Sequence, residues 1–170
     1  MSVNTDINSF LKDMRKLFKK SVSNKEMQLL GEKAIEIIVK RTRLGDGVTA
    51  RGGKKKKFKA FKKSYRNFRK RYESKLDGTT SVTKRNNTFS GQLLRSMKVI
   101  KAVKGKVVVG PNDETRSKTF KGEASKTNAE VAGYLVDMGR AFNNLSKPEI
   151  KQLTIFYRRT FTDLVKKNVR

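Results

Sequence analysis

Residues 88–109, TFSGQLLRSMKVIKAVKGKVVV, join a short helical pattern directly to a strand pattern. The first half carries two leucines and a methionine at helical spacing, whereas from Val99 onward apolar residues and lysines alternate with the period of a strand. Lys104-Gly105 is a turn pair, because glycine accepts the positive φ that a tight hairpin turn requires. The stretch predicts a short helix that leads into an antiparallel hairpin.

Three capping boxes predict where helices begin outside this stretch. Each pairs Ser or Thr with Glu three residues later, so that each side chain bonds a backbone N–H of the other. The pairs are Ser23/Glu26, Thr127/Glu130 and Ser146/Glu149. The first helix should run to about Thr42 and the last nearly to the C-terminus, because apolar residues follow both starts at spacings of three and four. We expect an α+β fold in which a small antiparallel sheet packs against two long helices.

The composition changes along the chain divide it into a domain and its appendages. Residues 1–22 predict an N-terminal amphipathic helix, and residues 23–170 a single α+β domain. Residues 45–63 hold four glycines and four consecutive lysines, a composition that cannot bury enough apolar surface to order itself. We therefore expect a flexible, extended basic arm at 45–63, which becomes ordered on an oppositely charged partner, and a long loop at 112–126.

An aromatic pattern follows the lysine run. Phe58, Phe61, Tyr65, Phe68 and Tyr72 recur at spacings of 3, 4, 3 and 4, which predicts a helix with one aromatic face. Such rings could stack on nucleic-acid bases while the neighbouring cations bind phosphates. A packing seam is the favoured interpretation, because rings that share one helical face are more often buried against the protein.

The charge of the chain predicts an acidic or polyanionic neighbour. The sequence has 42 basic and 15 acidic residues, a net charge of +27, which favours binding to nucleic acid, to an acidic protein ring or to an anionic membrane surface. We expect no membrane partner, because the only candidate for a surface helix is short. The predicted contact residues of the basic arm are Lys54, Lys55, Lys56, Lys57, Lys59, Lys62, Lys63, Arg66 and Arg69.

The residue types present disfavour catalysis. The chain has no histidine and no cysteine, which removes the usual neutral-pH general base, thiolate nucleophiles and Cys/His metal sites. The acidic residues show no metal-binding spacing, and the glycines do not form a phosphate loop. We expect no enzymatic activity, no catalytic residues, no cofactor and no metal. Without a membrane-span or secretion-signal pattern, we also expect a soluble protein made in a cytoplasm.

Short motifs in a particular order carry a family resemblance. TFSGQLLRSM at 88–97, a hairpin ending in Val-Gly, AGYLVDMG at 132–139 and RAF at 140–142 precede a long terminal helix. This order resembles the tail-completion family of tailed bacteriophages, the neck proteins of the lambdoid head–tail connector. Ser90 replaces the family's Thr, Asp137 its Glu, and Ala141 its Pro. The residues that carry the motifs are Gly91, Leu94, Ser96, Tyr134, Asp137, Gly139, Arg140 and Phe142.

The resemblance implies a structural role in the virion. A protein of this family would join the portal-side connector to the tail as one subunit of a closed ring, with six copies implied by the sixfold tail. Its partners would be further copies of itself and neighbouring neck proteins: portal, adaptor, stopper, tail terminator or tail tube. It would assemble in the bacterial host cytoplasm and reside at the head–tail neck. The alternative is a basic nucleic-acid-binding protein that contacts phage or host DNA, and the two roles are compatible.

Overall fold

The fold is known from a computed structural model that describes residues 23–48, 53–86, 88, 90–103, 105–113, 126–138 and 140–168, without the side chains of 161–168. In these residues, five α-helices, one 3-10 turn and two small antiparallel sheets form an α+β fold, which confirms the predicted class. The predicted helix at 1–22, Gly139 and most of the loop at 112–126 lie outside the described residues.

The elements follow the chain in a simple order. They are α1 (Asn24–Arg43), β1 (Asp46–Val48), β2 (Lys55–Lys57), α2 (Lys63–Arg71), a 3-10 turn (Glu73–Lys75), α3 (Gln92–Arg95), β3 (Met97–Val103), β4 (Lys106–Pro111), α4 (Asn128–Asp137) and α5 (Lys147–Asn168). Strands β1 and β2 pair with each other, and so do β3 and β4.

Helix α1 forms the centre of the core. Its predicted capping box is present: the Ser23 backbone N–H donates to Glu26 Oε2 at 2.7 Å, and the Glu26 N–H donates to Ser23 Oγ at 3.2 Å. The helix packs its apolar side against β3 and β4. A Cβ on Gly31 would lie 2.6 Å from Val99 Cγ2 and 2.8 Å from Val107 Cγ2. The helix can approach the hairpin this closely only because residue 31 has no side chain.

The hairpin predicted from residues 88–109 is present as β3 and β4. Val99 is opposite Val109 and Ala102 is opposite Val107, with an irregularity in register after Val99. At the turn, Gly105 has a φ of 76°, which is the left-handed conformation expected there. The open end is closed by a hydrogen bond from the Asn112 N–H to the Ser96 carbonyl.

Helix α5 completes the core from the C-terminal end. It packs against α1, and Leu153 and Tyr157 on its inner side are buried. The core residues of α1 are Met27, Leu30, Ala34, Ile37 and Ile38. Burying these side chains supplies most of the driving force for folding, at about 1.5–3 kcal/mol for each large one.

Residues 45–63 differ from the predicted flexible arm. The described part of this segment forms the β1–β2 hairpin and an extended stretch that leads into α2. Val48 is 2% exposed and Phe58 is 4% exposed, and the Val48 N–H donates to the Ala141 carbonyl. The prediction weighed the glycines and lysines as a whole and did not foresee these contacts; the flexibility of the segment in the isolated subunit stays a prediction. The burial of Val48 and Phe58 at the ends of the hairpin favours its packed position.

The predicted aromatic helix is shorter than expected. Helix α2 begins at Lys63, so that Phe58 and Phe61 precede it. Phe58 belongs to the core cluster, whereas the other four rings of the pattern are outside that cluster in the described part of the chain. Phe58 matches the spacing of the aromatic residues although it is not in a helix. The chain there is extended, and the Phe58 N–H donates to the Gly45 carbonyl.

Candidate functional site

The β1–β2 hairpin, with Lys54 before its second strand, is called the basic hairpin below. All four lysines at 54–57 are exposed, as expected for contact residues. Lys57 Nζ is 2.9 Å from Asp46 Oδ1, and Lys55 Nζ is 3.7 Å from Glu149 Oε1. These two lysines therefore also hold the hairpin to itself and to the core.

Five more predicted contact residues lie on α2 and just before it. Lys59, Lys62, Lys63 and Arg66 are exposed and continue the positive surface of the basic hairpin along the sequence. Arg69 is only 1% exposed. Its prediction as a contact residue was wrong, because its guanidinium group points into the protein.

Arg69 instead connects α2 to the loop at 80–88. Its Nη1 donates to the Thr88 carbonyl at 3.0 Å, and its Nη2 donates to Thr80 Oγ1 at 2.8 Å and to the Ser81 carbonyl at 2.5 Å. A guanidinium group suits this place because its several donors can satisfy acceptors in different directions at once. Nothing in the local sequence shows that this loop returns to α2, so the role of Arg69 could only be seen in the structure.

Phe61, Tyr65, Phe68 and Tyr72 form a continuous row of ring contacts, called the aromatic ladder below. Successive centroids are 4.9, 5.9 and 5.0 Å apart. Tyr65 is 39% exposed and the other three rings are partly exposed. The expected packing seam is thus only half right, since the rings pack on one another yet keep part of their surface in solvent.

Arg140 joins the aromatic ladder to the basic hairpin. Its guanidinium carbon lies 4.6 Å from the Phe61 centroid and 5.6 Å from the Phe58 centroid, and Nη2 donates to the Lys59 carbonyl at 2.7 Å. Burial lowers the pKa of Arg140, and the nearby Arg69 lowers it further. At neutral pH the group stays charged, because an arginine pKa is far above 7 even after such a shift. The arrangement places a family-motif residue directly on the aromatic ladder.

The first family motif surrounds helix α3. Gly91, before the helix, has a φ of 76°, and a Cβ there would collide with the Asp77 carboxylate. Leu94 is buried, and Ser96 Oγ donates to the Leu93 carbonyl at 2.8 Å. All three motif positions therefore have a local structural reason for their residue type.

The Asp77 carboxylate beside this motif is held by several donors. Thr79 donates to it through its hydroxyl and its backbone N–H, and Arg95 Nη1 lies 2.8 Å from Asp77 Oδ2. These contacts, the Thr79 hydroxyl first, lower the pKa of Asp77. The loop before α3 is thus fixed by a carboxylate that stays ionised.

The second segment of the resemblance lies mostly within α4 and leads towards α5. Tyr134 and Asp137 are exposed, and Lys126 Nζ lies 4.3 Å from the centroid of the Tyr134 ring. Phe142 is fully buried, and its carbonyl accepts a hydrogen bond from Arg41. Phe142 thus belongs to the core, while Tyr134 and Asp137 lie at the surface.

A buried ion pair that the sequence patterns did not predict lies behind the basic hairpin. Arg41 Nη1 is 2.7 Å from Glu149 Oε2, and the two side chains are 3% and 4% exposed. Ser146 also donates to Oε2, from its N–H at 2.7 Å and from its hydroxyl at 2.6 Å. Glu149 was interpreted only as a capping residue. The signal that could have revealed the pair was Arg41, which shares one side of α1 with the apolar core residues.

The described residues contain no group of three or more acidic side chains placed to hold a metal ion. In the same part of the chain, none of the helices combines the length and the apolar character needed to cross a bilayer.

Comparisons of the chain with protein-family models, with curated proteins and with solved structures found no match.

Proposed function

We propose that the protein is a structural subunit of a bacteriophage neck, which joins the portal-side connector to the tail as part of a closed ring. The proposal rests on the order of the family motifs. One observation supports it further: α3 and α4, which carry the two main motif segments about 40 residues apart, pack against each other. Residues distant in sequence then belong to one structural unit, as expected when a motif order reflects a shared fold.

The distribution of charge supports a role beside acidic neighbours. Six copies at +27 would repel one another strongly unless acidic protein or nucleic acid lies between them. The exposed lysines of the basic hairpin are the residues we assign to this contact. The partners would be further copies of this chain and the adjoining neck proteins, within a virion assembled in the host cytoplasm.

Antibody labelling of intact virions tests the location. Antibodies raised against the chain should label the junction of head and tail in electron micrographs. Label that appears only on DNA released from opened heads would overturn the neck assignment and favour the second candidate function.

A head–tail joining assay tests the contact. Lys54→Ser with Lys56→Ser should reduce joining most at low salt, and the difference from the parent should shrink as salt rises, because screening removes the contribution of the two lysines from the parent as well. These two positions avoid Lys55 and Lys57, whose pairs with Glu149 and Asp46 hold the hairpin. The matched control is Lys25→Ser with Lys40→Ser, the same change in charge at exposed positions of α1. Equal joining by both double variants at every ionic strength would remove the basic hairpin from the interface.

The second candidate function is nucleic-acid binding, which the exposed basic residues of the basic hairpin and α2 favour. Residues 51–75 contain 13 basic residues and one acidic residue, and all the predicted contact residues except Arg69 are exposed. Binding to duplex DNA should weaken linearly on a log–log plot against salt, with a slope set by the number of phosphates contacted. A slope near zero would contradict this candidate.

A further inference from the structure

We propose that the aromatic ladder is a stacking surface for the bases of single-stranded nucleic acid, with the cations of α2 beside it binding the phosphates. This inference rests on the nucleic-acid-binding role above and not on head–tail joining. It goes further than that role, because it assigns the ligand's strandedness and gives the rings and the cations separate tasks.

The geometry of the ladder suits stacking. Its four rings run along one side of the chain with centroids 4.9 to 5.9 Å apart, and Tyr65 in the middle is 39% exposed. Any base can stack on such a ring, because every base has a π-face, and one stacked base contributes about 1–3 kcal/mol. The rings contact one another at interplanar angles of 69°, 17° and 52°, so a base can stack on their solvent-facing parts, without regard to its sequence.

The rings are held in place by buried arginine. The guanidinium carbon of Arg69 is 4.9 Å from the Phe61 centroid and 5.9 Å from the Tyr65 centroid. The three hydrogen bonds of Arg69 to the loop at 80–88 fix that group, and Arg140 approaches Phe61 from a separate segment. A surface fixed before the ligand arrives loses little conformational entropy on binding. Buried Arg69 and partly exposed Arg140 thus support the rings, while other cations remain available to the ligand.

A second row, of exposed cations, runs beside the rings. Lys62, Arg66 and Lys70 follow one another at intervals of four residues and are all exposed. Arg66 and Lys70 on the helix are neighbours about 6 Å apart along its axis, and Lys62 is the residue just before its first turn. The charges therefore follow the same line as the rings, which places phosphate binding next to base stacking.

This pairing of rows favours a single strand over the other polyanions. In a duplex the bases are stacked on each other, so that only the cations could bind it. An acidic peptide would likewise use the cations and leave the rings unused. Single-stranded nucleic acid is the polyanion whose flat, uncharged groups are accessible to the ladder.

The experiment measures binding of the full chain to two fluorescent probes at one salt concentration. The probes are an oligothymidylate of about a dozen nucleotides, a length within the range that single-strand sites bind, and an abasic strand of equal length with the same phosphates. The oligothymidylate should bind about 10-fold tighter or more. Equal affinity for the two probes would overturn the proposal, and would leave charge-based nucleic-acid binding intact.

Variants separate the two rows. Tyr65→Leu should reduce the affinity for oligothymidylate towards that for the abasic strand, whereas Tyr65→Phe should keep the parent affinity because the ring remains. The matched control is Tyr134→Leu, the same change at another exposed tyrosine, which should have no effect. Lys62→Ser with Arg66→Ser should weaken the binding of both probes equally, and should make the affinity depend less steeply on salt concentration.

The remaining outcomes are also decisive. If the Tyr65→Leu variant keeps the full preference for oligothymidylate, the aromatic ladder is not part of the binding site. Polyglutamate that competes as well as oligothymidylate would show that the surface binds acidic peptide, and would overturn the proposal. A chain that binds none of the nucleic-acid probes, duplex included, would refute both this inference and the second candidate function, with head–tail joining still to be decided by the virion labelling.

Discussion

At the residue scale, Glu149 organises the polar part of the core. It accepts hydrogen bonds from Arg41 and from both donors of Ser146, and Lys55 lies 3.7 Å from its other oxygen. Burial lowers the pKa of Arg41, and Glu149 opposes that shift by its charge and its hydrogen bond. One carboxylate thus connects α1, the start of α5 and the basic hairpin.

Glu149→Gln should destabilise the fold by about 3 kcal/mol, because it leaves the buried charge of Arg41 uncompensated. The matched control is Glu130→Gln, the same substitution at the same capping position of α4, where the glutamate is exposed and the cost should be about 1 kcal/mol or less. The free energy of unfolding from urea titration measures both. Equal losses would show that Glu149 acts only as a cap.

Tyr157 provides a pH-dependent test of the core. Burial raises the pKa of its phenol to about 12, and the charge of Glu26 contributes in the same direction. The unfolded chain loses this proton near pH 10, so the folded state binds more protons between pH 10 and about 12. The phenol's contribution to stability is therefore complete below pH 10 and is lost as the pH rises through that window.

The parent protein should consequently lose more stability than Tyr157→Phe over the same pH range. The comparison is made by chemical unfolding of both proteins at several pH values, since the many lysines titrate alike in each. Parallel loss of stability in the two proteins would mean that the phenol is not shifted.

At the element scale, the close approach of α1 to the β3–β4 hairpin decides the shape of the core. Gly31 lies where any side chain would meet Val99 and Val107. The two long helices and the hairpin could be predicted from periodicity and capping boxes, because those signals are local. The approach distance could not, because it depends on which glycine faces which strand.

Gly31→Ala should destabilise the protein by about 1–3 kcal/mol, because the added methyl group forces the helix and the hairpin apart. Gly133→Ala is the control, since a Cβ at this position on α4 meets nothing within 4 Å. In that exposed helical position alanine should stabilise by about 0.5–1 kcal/mol. Thermal unfolding, monitored by circular dichroism, measures whether each variant is less or more stable than the parent. A neutral Gly31→Ala would mean that the contact relaxes without cost.

The basic hairpin and α2 show where local patterns fail. The glycines and lysines of the hairpin predicted a flexible arm and gave no sign that Val48 and Phe58 bury their side chains. The aromatic period predicted a longer helix, yet its first two rings precede α2. In both places a few long-range contacts outweigh the composition of the whole segment.

At the scale of the whole molecule, net charge should govern assembly. With +27 on each chain, isolated copies should sediment as monomers at about 10 mM salt, where charges act over about 30 Å. Raising the salt to about 1 M, where the range falls to about 3 Å, or adding polyglutamate, should allow larger species. Analytical ultracentrifugation measures this. Closed rings of the chain alone at low salt would show that charge does not limit assembly.

The sequence by itself determined the α+β class, the starts of the long helices, the β3–β4 hairpin and the exposure of the lysines predicted to contact a partner. These follow from capping boxes, apolar periods and charge, which act between residues close in the chain. Only the tertiary structure decided that Arg69 is buried, that Arg41 pairs with Glu149, and that Arg140 lies against the aromatic ladder. Each of these depends on segments 10 to 110 residues apart meeting in space, and their contact energies arise only once the core has formed.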